Sequence, residues 1–294
     1  MALTTDFIAA VRRQGSIPST LAAADILSIG DEQIQGRFIP LLEGLRQNFF
    51  VRTLDVTPDA RGRVAIPPRA VGAALRSVQL SVGNGWVPLP LRDLGESDYV
   101  SGGGLPCAYA IDGGSLILLP SGSTGTLRLR YSARPGKMCL DTDAALAKAL
   151  TAVAVPGAST TALTAAFTGS LANVDIVSSG PAHQQKAIGA ALGGAQPNLT
   201  VTNTDCLEQP IVGDYVAVAD RSPFVPLPEE LYSALVHAVA ANLLLQLGYL
   251  EESKAQKDEA ERVTREACLF LKPRNVGNPQ VVKGGLRRAI GRGR

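Results

Sequence analysis

Apolar side chains near the start of the chain recur every three or four positions, the spacing of helices buried along one side. Leu3, Phe7, Ile8 and Val11 share the first such face. Thr4 or Thr5 is placed to cap this helix, and Asp6 lies in its first turn, where a carboxylate complements the helix dipole. Gly15 and Pro18 stop it, and Ser19 or Thr20 opens a second run through Leu21, Ile26 and Leu27 that Gly30 breaks. A third runs from about Asp31 to Phe50, with Ile34, Phe38, Leu41, Leu42, Leu45 and Phe49 on one stripe. Pro40 should kink it or begin a new segment, because proline lacks the amide that an interior helical position needs.

Near Leu54 the period changes. A turn-rich stretch with Pro67 and Pro68 leads into short alternating runs: SVQLSV, WVPLPL, AYAI, SLILLP and TLRLRYSA. Gly83-Asn84-Gly85, Asp112-Gly113-Gly114 and Ser121-Gly122-Ser123 separate them, which predicts antiparallel strands joined by tight turns. In the last run Leu127, Leu129 and Tyr131 point one way and Arg128 and Arg130 the other, so one face packs and the other meets solvent or a neighbour. Asp141 to Val153 reads as helical, with Asp141 and Asp143 as charges at its N-terminal end. The Thr-, Ala-, Gly- and Ser-rich region to about Pro210 reads as short strands, TTALTAAFTG, VDIVSS and NLTVTN, followed by DYVAVA; GAALGGAQP reads as a loop.

After Pro226-Leu227-Pro228 the chain turns helical again, with Glu229 and Glu230 in the first turn. LYSALVHAVAANLLLQLG is apolar nearly all round, the pattern of a buried helix, and Gly248 ends it. An amphipathic helix follows, with Ala260, Val263, Ala267 and Leu271 on a narrow stripe and Glu251, Lys254 and Asp258 spaced for helical ion pairs. The expected class is therefore α+β: a helical bundle formed by the N- and C-terminal helices, with inserted antiparallel β modules. The expected division is 1–54 for the N-terminal helical part, 55–140 for a β-rich module and 141–225 for a second, looser β insertion. Residues 226–272 make the C-terminal helix hairpin and 273–294 a basic extended tail.

Composition narrows the function. With 294 residues, 46% of them hydrophobic, the chain can bury a core without disulfides or metal. A net charge of +2 is less basic than expected of a protein that binds nucleic acid over its whole surface. The exception is the end: Lys272, Arg274, Lys283, Arg287, Arg288, Arg292 and Arg294 occur there with no acid. This tail reads either as a solvated terminus or as an arm that docks on an acidic surface or touches DNA phosphates. Arg128 and Arg130, with Arg134 beyond, read as a solvated sheet face or as a contact to a neighbouring subunit. Cys107, Cys139, Cys206 and Cys268 have no metal-ligand spacing and are expected to be reduced and unpaired. No apolar run approaches the roughly 18 residues of a membrane span, and the N-terminus lacks a signal-peptide core. The protein is expected to be made in the cytoplasm.

No residue of the sequence stands in a catalytic, cofactor-binding or metal-binding pattern. There is no GxSxG elbow, His237 sits in the most apolar helix as a core residue, and His183 lies in a polar loop. Ser101-Gly102-Gly103-Gly104 runs into Leu105-Pro106 rather than a helix, so it is no phosphate cradle.

Four stretches in this order resemble the head-to-tail adaptor (connector) proteins of tailed bacteriophages. They are RVAIPPRAVGAALRSVQL leading to Trp86; IDGGSLILLPSGSTGTLRLRYSARP; VGDYVAVADRSPFVPLPEELYSALVHAVAANLLLQLG with the helix after it; and KGGLRRAIGRGR. The resemblance implies a structural virion protein, not an enzyme, that forms a ring, typically dodecameric, beneath the portal at the head–tail interface. Such a ring extends the channel through which genomic DNA passes without sequence-specific binding. It also offers a platform to the next neck or tail protein. The portal, the downstream neck or tail protein and further copies of the chain are the implied partners, with no cofactor and no membrane. A C-terminal segment that reaches into the portal would make Lys283, Arg287, Arg288, Arg292 and Arg294 the docking residues. The Ala/Thr/Gly region from about 155 to 210 exceeds what a minimal adaptor needs. The rival expectations are another neck or tail protein (a tail-completion or terminator protein), a DNA-binding packaging factor that uses the basic tail, and a hydrolase, which lacks a nucleophile–base pair.

Overall fold

Phe7, Ile8 and Val11 are buried on helix α1 (Thr4–Gly15), as their spacing requires. The computed structural model describes residues 2–45, 49–67, 69–94, 105–120, 122–154, 159–168, 172–180, 185–195, 197–203 and 206–271. It is a mixed α+β fold whose larger sheets are antiparallel. The N-terminus of α1 is not capped by Thr4 or Thr5. Thr4 instead donates its hydroxyl to the Cys139 carbonyl at 2.7 Å, and the Asp141 carboxylate accepts the Thr5 amide at 3.1 Å. Asp141 does serve a helix N-terminus, but that of a helix 136 residues away in sequence.

Helix α2 (Ala23–Gln33) passes through Gly30 without a break. Gly30 is buried, and a Cβ there would collide with the Met138 methyl and lie 3.3 Å from the Phe7 ring, so the glycine allows close approach instead of ending the helix. One π turn (Ile34–Phe38) leads on to α3 (Ile39–Gly44). Pro40 sits in the first turn of α3, and the wide turn before it absorbs the missing amide donor.

The last helices, α4 (Glu229–Gln246) and α5 (Leu250–Leu271), form a hairpin closed at Gly248, where φ is +87°. Leu231, Leu235, Val239 and Leu243 of α4 share one apolar cluster with Phe7, Ile26, Phe38 and Leu42, so the two ends of the chain build a common core. Burial of each such side chain is worth roughly 1.5–3 kcal/mol. His237 is not simply packed: its Nδ1 lies 2.7 Å from Gln256 Oε1, and Gln256 donates to the Gln14 carbonyl, which ties α4, α5 and α1 together.

Strands β1 (Val51–Val56), β3 (Ala70–Val82), β4 (Gly85–Leu89) and β7 (Leu127–Ala133) form a sheet in the order β1-β7-β3-β4. Strands β2 (Arg63–Ala65), β5 (Ala108–Asp112) and β6 (Ser115–Leu119) form a second, β2-β6-β5. The two share an apolar cluster with Val78, Leu80, Leu127 and Leu129 on one side and Val64, Tyr109, Leu116 and Leu118 on the other. Beyond them β8 (Lys137–Met138) pairs in parallel with β16 (Arg221–Ser222).

Strands β9 (Ala147–Ala149), β10 (Ala152–Val153), β11 (Thr160–Thr164), β12 (Asn173–Val177), β13 (Gln185–Ala195), β14 (Asn198–Thr202) and β15 (Tyr215–Val218) make a third sheet. Its order is β10-β11-β14-β13-β12-β15-β9, and it has its own cluster around Leu163, Val174, Ile176 and Val201. Two expectations fail here. Residues 141–153 are not helical: Asp143 accepts the Ala145 amide in a turn, and Ala147–Ala149 pair with β15. GAALGGAQP is not a loop, because its residues up to Ala195 belong to β13. Small residues are needed there: a Cβ on Gly193 would lie 2.7 Å from Thr200 Oγ1, and one on Gly194 would lie 2.6 Å from the Asn198 carbonyl oxygen. Among the described residues, no helix is long and apolar enough to cross a membrane.

Asp31 of α2 accepts the Met138 amide at 2.9 Å, linking the helices to β8, and burial raises its pKa from 3.8 to about 6. The folded protein therefore holds a proton that the unfolded chain has released between about pH 4 and 6, and this group's contribution to stability falls as pH rises through that window. Asp31→Asn keeps the acceptor and removes the titration. Its stability relative to the unaltered protein should rise by roughly 2–3 kcal/mol between pH 4 and pH 7, read from urea unfolding. His237→Leu should cost about 0.5–1.5 kcal/mol in the same assay, the worth of its hydrogen bond.

Candidate interaction surfaces

The alternation in β7 places its arginines as expected. Leu127, Leu129 and Tyr131 are buried, whereas Arg128 and Arg130 lie on the other face. The sheet register sets Arg128 between Asp55 and Gln79, and Arg130 between Thr53 and Ser77. Arg128 is engaged within the chain. Its Nε and Nη2 donate to the two Asp55 oxygens at 2.8 Å, and its guanidinium lies 3.9 Å from the centre of the Trp86 ring. That hydrogen bonding holds the Asp55 carboxyl below its ordinary pKa. Arg130 is exposed, has no ion pair among the described residues and shares a shallow hollow with Arg128, Val51 and Gln79. Arg134 stands apart: its exposed side chain lies past the strand end, and its carbonyl accepts from Arg69 Nη2 at 2.9 Å. Lys283, Arg287, Arg288, Arg292 and Arg294 lie outside the described residues, as do His183 and the glycine run at 101–104.

The more organised site is one the sequence reading missed. Arg69, just before β3, reaches across to the seven-stranded sheet and pairs with the fully buried Asp175 of β12. Its Nε lies 3.0 Å from Asp220 Oδ1. Asp175 also accepts the Gly189 amide at 2.8 Å and the Asp220 amide at 3.2 Å. Burial raises the Asp175 pKa, against the lowering effect of Arg69. Nearby, Lys186 of β13 meets Asp214 at 2.8 Å with both side chains buried, and Asp214 accepts the Ile211 amide at 2.8 Å. The visible signal was a carboxylate inside the apolar run Val174-Asp175-Ile176-Val177, all four of whose residues are buried. A charge at such a position needs a partner.

Beside this ion cluster a cleft of about 660 Å³ separates the sheets, with Arg52, Thr53 and Leu54 on one wall and Asn173, Ile188 and Ala191 among the residues of the other. Burial pushes the pKa of Arg52 down, and its Nε is buried with no hydrogen-bond partner. Among the described residues there is no group of three or more His, Cys, Asp or Glu able to hold a metal.

The sequence matches the family described as SU10 adaptor protein over residues 4–205, from α1 through the strands of the seven-stranded sheet to its β14. No curated protein matches it.

Asp175→Ala would leave Arg69 buried without its main partner. It should lower unfolding stability by about 3–5 kcal/mol, measured in urea. A loss below about 1 kcal/mol would show that the pair is not desolvated as its burial indicates.

Proposed function

The chain belongs to the SU10 adaptor protein family, structural proteins of phage particles, and on that premise we propose that it forms a ring beneath the portal. In this reading it is a head-to-tail adaptor at the neck of the virion. The ring, a dodecamer in the resemblance, lengthens the DNA channel and carries the next neck or tail protein. The observation that carries the reading is the extent of the family match, residues 4–205.

Two features support it. A closed ring requires two unlike faces on each subunit. For one of them we assign Arg128, Arg130 and Arg134, on and just past β7, to the contact between subunits. Arg130 is the one of the three with an exposed side chain on the strand itself. The segment 273–294 is rich in lysine and arginine without acids, which suits docking on the portal through Lys283, Arg287, Arg288, Arg292 and Arg294. The helices of 1–54 and 226–272 act as a bundle core that carries the β modules of 55–140 and 141–225, and the region from about 155 to 210 faces the tail-side partner. DNA passes through the channel without sequence-specific contacts.

Negative-stain imaging of the protein mixed with purified portal, beside the protein alone, tests this. A ring added under the portal is expected; no association in moderate salt would overturn it. Deletion of 273–294 should leave the melting curve unchanged and abolish portal binding, while undiminished binding would remove the tail from the docking role.

A further inference from the structure

Strand β1 is an outer strand, hydrogen-bonded only to β7. The Ala133 amide donates to the Phe50 carbonyl, which fixes the phase of that antiparallel ladder. Arg52, Leu54 and Val56 exchange hydrogen bonds with Tyr131, Leu129 and Leu127, so the backbone groups of Val51, Thr53 and Asp55 point away from β7. The Val51 carbonyl accepts from Arg52 Nη1 at 3.1 Å. The outward groups of Thr53 and Asp55 have no protein partner among the described residues.

An open edge of this kind is a template for another strand, and proteins ordinarily blunt or cover it. Here the edge borders the cleft of about 660 Å³, a volume in the range of ligand-binding clefts. The same cleft holds Arg52, whose Nε is buried and unbonded and which forms no ion pair among the described residues. Glu208 favours the Arg52 charge through space without forming an ion pair, and a carboxylate in direct contact is the group whose geometry matches a guanidinium. A free backbone edge and a partly buried cation with no carboxylate at ion-pair distance among the described residues thus lie side by side. Main-chain pairing would supply affinity, and the charge would supply selectivity.

We propose that β1 accepts an extended segment of another virion protein as an added strand, with one acidic side chain of that segment seated against Arg52. This goes beyond the portal reading and does not depend on where the ring docks.

Residue-resolved hydrogen exchange on purified particles and on the free protein tests it. The Thr53 and Asp55 amides should exchange freely in the free protein and slow by about tenfold or more in the particle. Equal exchange in both would overturn the proposal. Thr53→Pro removes an outward donor without touching the β7 ladder, a change edge strands tolerate. Arg52→Gln removes the cation and keeps a polar side chain. Each variant should retain its melting curve and enter particles about tenfold less efficiently. Wild-type incorporation of both would overturn the proposal, and if Thr53→Pro unfolds, Arg52→Gln decides. A photoreactive residue at Leu54 should cross-link to an acidic segment of a different protein, whereas a cross-link to another copy of this chain would overturn that assignment. Portal imaging reads ring placement and not this edge, so the two readings can fail separately.

Discussion

Arg69 is the hinge pin of the β part of this molecule. The two smaller sheets close over one apolar cluster and the seven-stranded sheet over another, and neither core extends into the other. Between them stand the pairing of Arg69 with Asp175 and Asp220, the Arg134 carbonyl, and the packing of Ile188 against Ile66, Ala70, Tyr131 and Ala133. A buried ion pair adds little net stability compared with a well-packed apolar contact, but it is costly to break. It is also directional. A guanidinium that satisfies a carboxylate, a second carboxylate and a carbonyl at once admits one relative placement of the two sheets. The cleft, the position of Arg52 and the exposure of the β1 edge all follow from that placement.

The helical part is joined to the sheets by the same kind of directed polar contact. Asp141 receives the amide at the start of α1, Asp31 receives the Met138 amide, and the Thr4 amide donates to the Pro223 carbonyl. Because the first and last helices share one core, the apolar face of α1 is covered only when α4 is in place. In the proposed adaptor role such closure matters, since neither end can peel away without exposing the common core. In the proposed ring, the arginine face and the β1 edge then present fixed geometry to their partners.

Much of the fold was legible in sequence where one signal decided it. Strands β3 to β7 were marked by period-two alternation between glycine turns, and α4 by a run of apolar residues too long and continuous for a strand. The misread elements are those where tertiary partners overrode local preference. The stretch from Asp141 to Val153 has helix-forming composition, yet Asp141 is drawn to α1 and Ala147–Ala149 complete the edge of a sheet. Gly30, Gly193 and Gly194 looked like breakers and are close-approach positions. The arginines of β7 were visible from their alternation, but Arg128's engagement with Asp55 and Trp86 was not, because those residues lie on other strands. The ion cluster escaped notice because Arg69, Asp175 and Asp220 are far apart in sequence and only the topology brings them together.

The buried charges hold the two β parts in one orientation. Pulsed electron resonance measures this directly, with spin labels at the exposed positions Val87 and Thr202, one on each side of the joint, in a background with the native cysteines replaced. One narrow distance distribution is predicted, and it should broaden when Asp175 is replaced by alanine. A broad or two-peaked distribution with Asp175 intact would contradict the account.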